Sequence, residues 1–216
     1  MLCVKTFVNK PVTSNCYVLF DKEKGNDCII VDPGSKSEAY LIEYIDREGL
    51  HPWYIILTHE HFDHCWGVNE LVKQYHIPII SSQLCTEAIK DAKNNCSVFY
   101  DNSEAFIIDT DTISVEVLNF KLPFGGDEIK CYMTPGHTDA SISFTIGKCL
   151  FTGDALIKEM RTVTKLPTGS VPKLKDTVEM YRKLQGKGYK VFAGHGGSFL
   201  LDGYDLDVAI HGLILI

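Results

Sequence analysis

The chain has 216 residues, of which 45% are hydrophobic and 23% are charged, as in an ordinary globular protein of one large domain or two small ones. Its formal net charge of −7 argues against nucleic acid and against an anionic membrane surface as partners. The sequence contains no run of 18 apolar residues and no long apolar segment at its N-terminus, so we expect a cytoplasmic protein without a transmembrane helix. The eight cysteines form no CxxC pair and are interpreted as reduced, mostly buried thiols.

In the first half of the chain, short apolar runs alternate with amphipathic segments. Runs rich in β-branched and aromatic residues are typical of strands. Apolar residues at helical spacing before Gly49 predict a helix that ends at this glycine. The polar segment 94–103 is interpreted as a loop. The predicted elements are, in order, strands over 2–8, 16–20 and 28–31, a helix over 37–48, a strand over 53–57, a helix over 68–75, a strand over 78–81 and a helix over about 84–93.

The second half begins with a β-rich region and ends with a helix and a strand. No linker rich in proline, glycine or serine separates the two halves, and we find no short repeat. We therefore predict a single domain over 1–216, in which helices cover sheets. The predicted elements are strands over 106–109, 112–120, 128–134, 141–147 and 148–153, a helix over about 173–185 and a strand over 189–193.

The densest group of chemically competent side chains is the segment THEHFDH at 58–64. It places His59, His61, Asp63 and His64 within six positions, directly after a predicted strand. Residues two apart share a face in extended chain but not in a helix, so we expect this cluster to lie on a loop. The segment lacks the HExxH spacing of helical zinc proteases. Three imidazoles and a carboxylate at this density indicate a metal site.

Three more metal-competent side chains follow later predicted strands and lie beside glycines. His137 lies in PGHT, Asp154 follows FTG, and His195 lies in GHG. Each of them alone has an ordinary explanation as a turn, capping or loop residue. Together with the cluster they form a pattern of strands that end in potential ligands, where glycine allows close approach of the backbone. The remaining histidines are interpreted as surface or packing residues: His51, His76 and His211.

The motifs HxHxDH, PGHT, FTGD and GHG, in this order, resemble those of the metallo-β-lactamase fold superfamily, and more narrowly of its glyoxalase II-like hydrolase branch. The resemblance covers about residues 1–197. It implies an α/β fold, a four-layer αββα sandwich with metals at one edge, and two Zn²⁺ ions per chain, with iron or manganese as other candidates. The implied ligands are His59, His61 and His137 for the first metal, Asp63, His64 and His195 for the second, and Asp154 as the bridge between them.

The same resemblance implies a hydrolase in which a bridging hydroxide attacks a carbonyl carbon. Asp63, which would orient the water, and Asp154, which would bridge the metals, are the expected catalytic carboxylates. His64 and Asp154 stand where the commonest zinc β-lactamases have arginine and cysteine, so we do not expect antibiotic hydrolysis. The segment after GHG is too short for the glutathione-binding helical part of glyoxalase II. The expected substrate is a small thioester, ester or lactone, and whether it contains glutathione stays open.

Several assignments keep an alternative. A mononuclear iron dioxygenase acting on a persulfide and a non-catalytic metal-binding protein remain open as functions. Asp32 is expected to orient a ligand histidine or to be a turn residue, and Cys65 is expected to pack rather than to bind metal. The apolar end of the chain is either a last core element or a homodimer contact. Three basic residues of a later loop are candidates for binding an anionic part of the substrate, with a solvated loop as the equal alternative: Lys158, Arg161 and Lys165.

Overall fold

The computed structural model describes residues 1–110, 112–115, 121–124 and 127–213. They form two compact units, 1–115 and 116–216, and each unit contains one six-stranded mixed sheet. Sheets combined with helices confirm the predicted α/β class, whereas the single domain over 1–216 stays a prediction. None of the helices within the described ranges has the length and hydrophobicity that a membrane span requires.

The strands of the first unit are β1 (Cys3–Val8), β2 (Asn15–Phe20), β3 (Asp27–Val31), β4 (His51–Ile56), β5 (Ile79–Ser82) and β6 (Thr112–Val115). They lie in this same order across the sheet. The first three are antiparallel neighbours, and the strands from β3 to β6 run parallel. Every residue of β2 is buried, which agrees with its nearly continuous apolar sequence.

The helices of the first unit lie between successive strands along the chain. Leu41 and Ile45 form the buried stripe of the first helix, and Gly49 ends it with a φ of 64°, a conformation that glycine adopts without strain. The helices are α1 (Ala39–Glu48), α2 (Phe62–Cys65), α3 (Val68–Tyr75), α4 (Gln83–Ala88), α5 (Ser97–Tyr100) and a 3₁₀ turn (Asn102–Glu104).

The second unit contains β7 (Lys121–Phe124), β8 (Asp127–Met133), β9 (Ile142–Ile146), β10 (Cys149–Gly153), α6 (Val171–Arg182), β11 (Lys190–Ala193), β12 (Phe199–Leu200) and α7 (Val208–His211). The sheet order is β12-β11-β10-β9-β8-β7. Among the described strands of this sheet, only β10 and β11 run parallel to each other. The Ser170 hydroxyl caps α6 by accepting a hydrogen bond from the Lys173 N–H. The core of this unit includes Leu150, Leu174 and Tyr181.

Most sequence predictions agree with these elements, and the helix over 68–75 is confirmed with both bounds. Three predictions were wrong: 106–109 is not a strand, α4 ends at Ala88 rather than near 93, and the expected loop 94–103 contains α5 and the start of a 3₁₀ turn. Of the strand predicted over 112–120, residues 112–115 are confirmed and 116–120 lie outside the described residues. The last three residues of the apolar tail also lie outside them, so the dimer contact stays a prediction.

Candidate functional site

Four of the predicted ligands lie together in the first unit, after β4. His59, His61 and His64 are 1%, 5% and 0% exposed. The ring centroid of His59 lies 4.8 Å from that of His61 and 4.3 Å from that of His64. The expectation that the whole cluster lies on a loop was wrong, because Asp63 and His64 belong to α2 and His61 is its N-cap. A helix of four residues is too short to leave an amphipathic pattern in the sequence.

Asp32 holds two parts of this cluster in place. The residue is 1% exposed, and its side chain accepts hydrogen bonds from the Thr58 N–H (2.8 Å) and the Thr58 hydroxyl (2.6 Å). The same carboxylate lies 3.1 Å from Nδ1 of His64. A carboxylate can only accept there, so Nδ1 carries the proton and Nε2 carries the lone pair that a metal would bind. Asp32 therefore orients His64, as predicted, whereas the role of His64 as a metal ligand stays a prediction.

Thr58 fixes the position of the ring proton of His59 in a similar way. Its hydroxyl oxygen lies 3.1 Å from Nδ1 of His59. The Thr58 proton points to Asp32, and therefore the hydroxyl oxygen accepts the Nδ1 proton of His59. Nε2 of His59 is then the basic nitrogen as well. Sequence reasoning missed Thr58, although its place directly before the cluster was an available signal.

The second unit brings together the other three predicted ligands. His137 follows β8, Asp154 follows β10 and His195 follows β11. Oδ2 of Asp154 lies 3.7 Å from Nε2 of His137 and 3.5 Å from Nε2 of His195. Nδ1 of His137 lies 2.8 Å from the carbonyl oxygen of Val163, to which it must donate, so Nε2 of His137 carries the lone pair. No feature of the sequence could have predicted a role for the Val163 carbonyl.

Gly136 explains how the backbone before His137 reaches its position. Its φ is 143°, and an added Cβ would lie 2.6 Å from the Cα of Leu174 in α6. Real Cβ atoms do not approach other atoms so closely, and L-residues rarely adopt this φ. The glycine of the PGHT motif is therefore required by the close approach of α6.

The distances within each group fit metal ligation better than hydrogen bonding. Nε2 of His64 lies 3.6 Å from Oδ2 of Asp63, and this distance and the two to Asp154 are too long for good hydrogen bonds. Two ligands held about 2.0–2.1 Å from a tetrahedral zinc lie about 3.3 Å apart. Imidazole nitrogen and carboxylate oxygen are donors that suit zinc, iron and manganese. Both groups of residues therefore fit a metal, and their union in one dinuclear centre stays a prediction.

The candidate substrate residues lie on the loop after β10. Lys158 is exposed and lies 3.5 Å from the carboxylate of Glu159, Lys165 is exposed, and Arg161 is half-buried. The loop is held by the end of the chain, because the N–H groups of Arg161 and Thr162 donate to the carbonyls of Leu213 and Ala209 at 2.9 Å. The role of the three basic residues in substrate binding stays a prediction.

Cys65, which directly follows a predicted ligand, is fully buried. Burial raises the pKa of its thiol well above the usual value, and the thiol donates to the Glu60 carbonyl at 3.3 Å. A thiol must lose its proton to bind metal. These contacts agree with the predicted packing role of Cys65.

Comparisons with known proteins agree with this picture. Residues 9–195 match the family model of the metallo-beta-lactamase superfamily. The Bacillus subtilis protein named "Probable metallo-hydrolase YqgX" is 28% identical over 188 residues, which are 86% of each chain. The hydroxyacylglutathione hydrolase of Buchnera aphidicola is 28% identical over 72% of this chain and 59% of that enzyme. The crystal structure of the BLEG-1 B3 metallo-beta-lactamase has a TM-score of 0.83 and 25% identity, and covers 92% of this chain and 94% of that one.

Proposed function

Because the chain belongs to the metallo-β-lactamase superfamily, we propose that it is a dinuclear metal-dependent hydrolase that cleaves a small thioester, ester or lactone. In this proposal His59, His61 and His137 would hold one metal, Asp63, His64 and His195 would hold the other, and Asp154 would contact both. The metals would be two zinc ions. The observation that carries the proposal is the position of one Asp154 oxygen within 3.7 Å of two imidazole nitrogens, since a bridging carboxylate needs ligands of both metals beside it.

Two ions held by these side chains would supply a Lewis acid for the carbonyl oxygen and a water with a pKa near 7. Asp63 would accept a proton of that water in a hydrogen bond and so direct its lone pair toward the carbonyl carbon. Asp32 and the Val163 carbonyl keep the Nδ1 protons of His64 and His137 in place, which leaves Nε2 of both rings basic. Because the nucleophile in this proposal is water, no serine or cysteine nucleophile is required.

The relatives support the hydrolase class more strongly than any one substrate. A hydroxyacylglutathione hydrolase is among them, but the aligned region spans only 59% of that enzyme. A B3 β-lactamase is similar in structure at 25% identity. A substrate panel should therefore contain a hydroxyacyl-glutathione thioester, a thioester without glutathione, a lactone, an aryl ester and a β-lactam.

The test is the variant Asp154→Ala in the metal-loaded protein. We expect its turnover to fall by about 10³-fold or more while circular dichroism remains that of the wild type. Asp207→Ala is the matched control, because Asp207 is an exposed aspartate that pairs with Arg182 at 3.0 Å, and its turnover should not change. Undiminished turnover of Asp154→Ala would overturn the bridging role.

Metal analysis separates the proposal from its alternatives. About two zinc ions per chain with hydrolysis of a panel member supports the dinuclear hydrolase. One iron per chain with oxygen consumption on a persulfide supports the dioxygenase. A fully loaded protein that consumes no oxygen and hydrolyses no panel member supports a non-catalytic metal-binding protein.

A further inference from the structure

The loop between β1 and β2 reaches the backbone of a predicted metal ligand. The side-chain amide of Asn9 lies 3.4 Å from the carbonyl oxygen of Asp63 and 2.9 Å from the hydroxyl of Ser14. The Ser14 hydroxyl donates to the same Asp63 carbonyl in a short hydrogen bond. Asn9 and Ser14 are 1% and 0% exposed, so water does not compete for these contacts.

The helix α2 stops after one turn, before the residue whose N–H would bind the Asp63 carbonyl in a longer helix. That donor would be the N–H of residue 67. Here the Gly67 N–H donates instead to the carbonyl of Pro33 at 2.9 Å. The two polar side chains of the β1–β2 loop therefore replace the missing helical hydrogen bond, and they come from a segment about fifty residues earlier.

Asn9 also contacts the segment that orients His64. Its amide donates to the Asp32 carbonyl at 3.1 Å, and its side-chain oxygen accepts from the Ser35 hydroxyl at 3.1 Å. Gly34 lies between these partners, where an added Cβ would collide with the Asp63 carbonyl and lie 2.8 Å from the Asn9 amide. The two N–H bonds of the buried Asn9 amide thus point to the Asp32 carbonyl and the Ser14 hydroxyl, and Ser14 in turn donates to the Asp63 carbonyl.

We propose that Asn9 and Ser14 form a clamp that positions Asp63 and His64 for one of the two metal ions. This inference rests on the proposed function for the identity of the ligands, but not on the substrate or the reaction. The clamp acts on the helix that carries Asp63 and His64. His59 lies before that helix and is held by Thr58. Because the clamp residues contact backbone rather than metal, they are positioning residues, and their loss should weaken one metal site more than the other.

The test is zinc titration of the full chain against a competing chelator, for wild type, Asn9→Ala and Ser14→Ala. We expect each variant to lose about 10- to 100-fold affinity for one ion, as is usual when a partner of a ligand is removed, and less than about threefold for the other. Gln185→Ala is the matched control, because Gln185 also donates its amide to two carbonyls, those of Leu201 and Tyr204, at 3.0 and 2.8 Å. It should leave both affinities unchanged.

A double variant identifies the ion. Because the clamp positions Asp63 and His64 together, the loss of zinc affinity caused by Asn9→Ala should be clearly smaller in an Asp63→Asn background than in the wild type. The clamp is overturned if Asn9→Ala weakens the affinity for both ions equally or for neither, or if its effect is fully additive with that of Asp63→Asn. A protein that binds a single ion with an affinity unaffected by Asn9→Ala also overturns it. Ser14→Ala removes only one hydroxyl and keeps the test decisive if Asn9→Ala fails to fold. A wild type that binds two ions and hydrolyses nothing contradicts the proposed function and leaves the clamp intact.

Discussion

Asp32→Asn is the sharpest perturbation of the ligand cluster, because it changes one atom and the charge but not the shape. In the native protein the carboxylate accepts from the Thr58 N–H, the Thr58 hydroxyl and Nδ1 of His64. An asparagine can keep its oxygen toward the Thr58 N–H, which cannot rotate. Its NH₂ group then faces Nδ1 of His64, and two donors meet. The least costly solution is for His64 to move its proton to Nε2, the atom that should bind metal.

The size of the effect follows from these three contacts. Hydrogen bonds to a charged acceptor contribute about 1.5–3 kcal/mol each, and neutral ones about 1 kcal/mol. In Asp32→Asn all three charge-assisted hydrogen bonds become neutral or are lost, so the free energy of unfolding of the metal-free protein should fall by about 2–4 kcal/mol. Affinity for the ion bound by His64 should fall by about 10- to 100-fold, as for other partners of metal-binding histidines.

Three measurements check this prediction: urea unfolding of the metal-free protein, zinc competition titration, and ¹⁵N chemical shifts of the His64 ring. Asp202→Asn is the control, since Asp202 accepts from the N–H groups of Gly186 and Gly188 at the surface and its loss should cost less than about 1 kcal/mol. If Asp32→Asn leaves the His64 tautomer and the zinc affinity unchanged, Asp32 does not orient this ligand and the reasoning is refuted.

Two further predictions concern stability in each unit. Gly136→Ala should lower the free energy of unfolding by about 2–4 kcal/mol in a urea titration, because the new Cβ meets Leu174 and the φ is unfavourable; Gly197→Ala, where a Cβ meets nothing within 4 Å, should change it by less than about 1 kcal/mol. Burial raises the pKa of Glu38 from 4.5 to about 8. Between these pH values the folded protein keeps a proton on Glu38 that the unfolded chain releases. The contribution of this proton to the free energy of unfolding should be complete below pH 4.5 and lost as the pH rises to about 8. In Glu38→Gln the fall in stability between these pH values should be smaller by a few kcal/mol, and an identical pH profile would contradict the assignment.

Sequence reasoning succeeded where a signal is local and repeated. The helix over 68–75 was predicted with both bounds, because its apolar residues recur at helical spacing over two turns. The strands β2, β3 and β10 were predicted within about one residue, because their apolar runs are short and are bounded by polar or glycine-containing turns. The ligand motifs were recognisable because metal-binding side chains of these types rarely cluster for other reasons.

It failed where a contact joins distant parts of the chain. Asn9 and the Val163 carbonyl act on residues 54 and 26 positions away, and nothing in their neighbourhoods distinguishes them from other loop residues. The helix α2 was missed because four residues are below the length at which periodicity can be detected. The motifs could therefore suggest which residues bind metal, but not which residues hold those ligands in place.

The reactivity of buried cysteine thiols can be used to measure how fast each unit opens. Cys3 is exposed, whereas Cys28 in β3 and Cys131 in β8 are buried, and burial raises the pKa of both of these thiols to about 12. Only a thiolate reacts quickly with an alkylating reagent, so these two thiols react when their own sheet opens. Timed alkylation followed by mass spectrometry would thus report the opening rates of the two sheets separately, in the unaltered chain, with Cys3 as the reference for unhindered reaction.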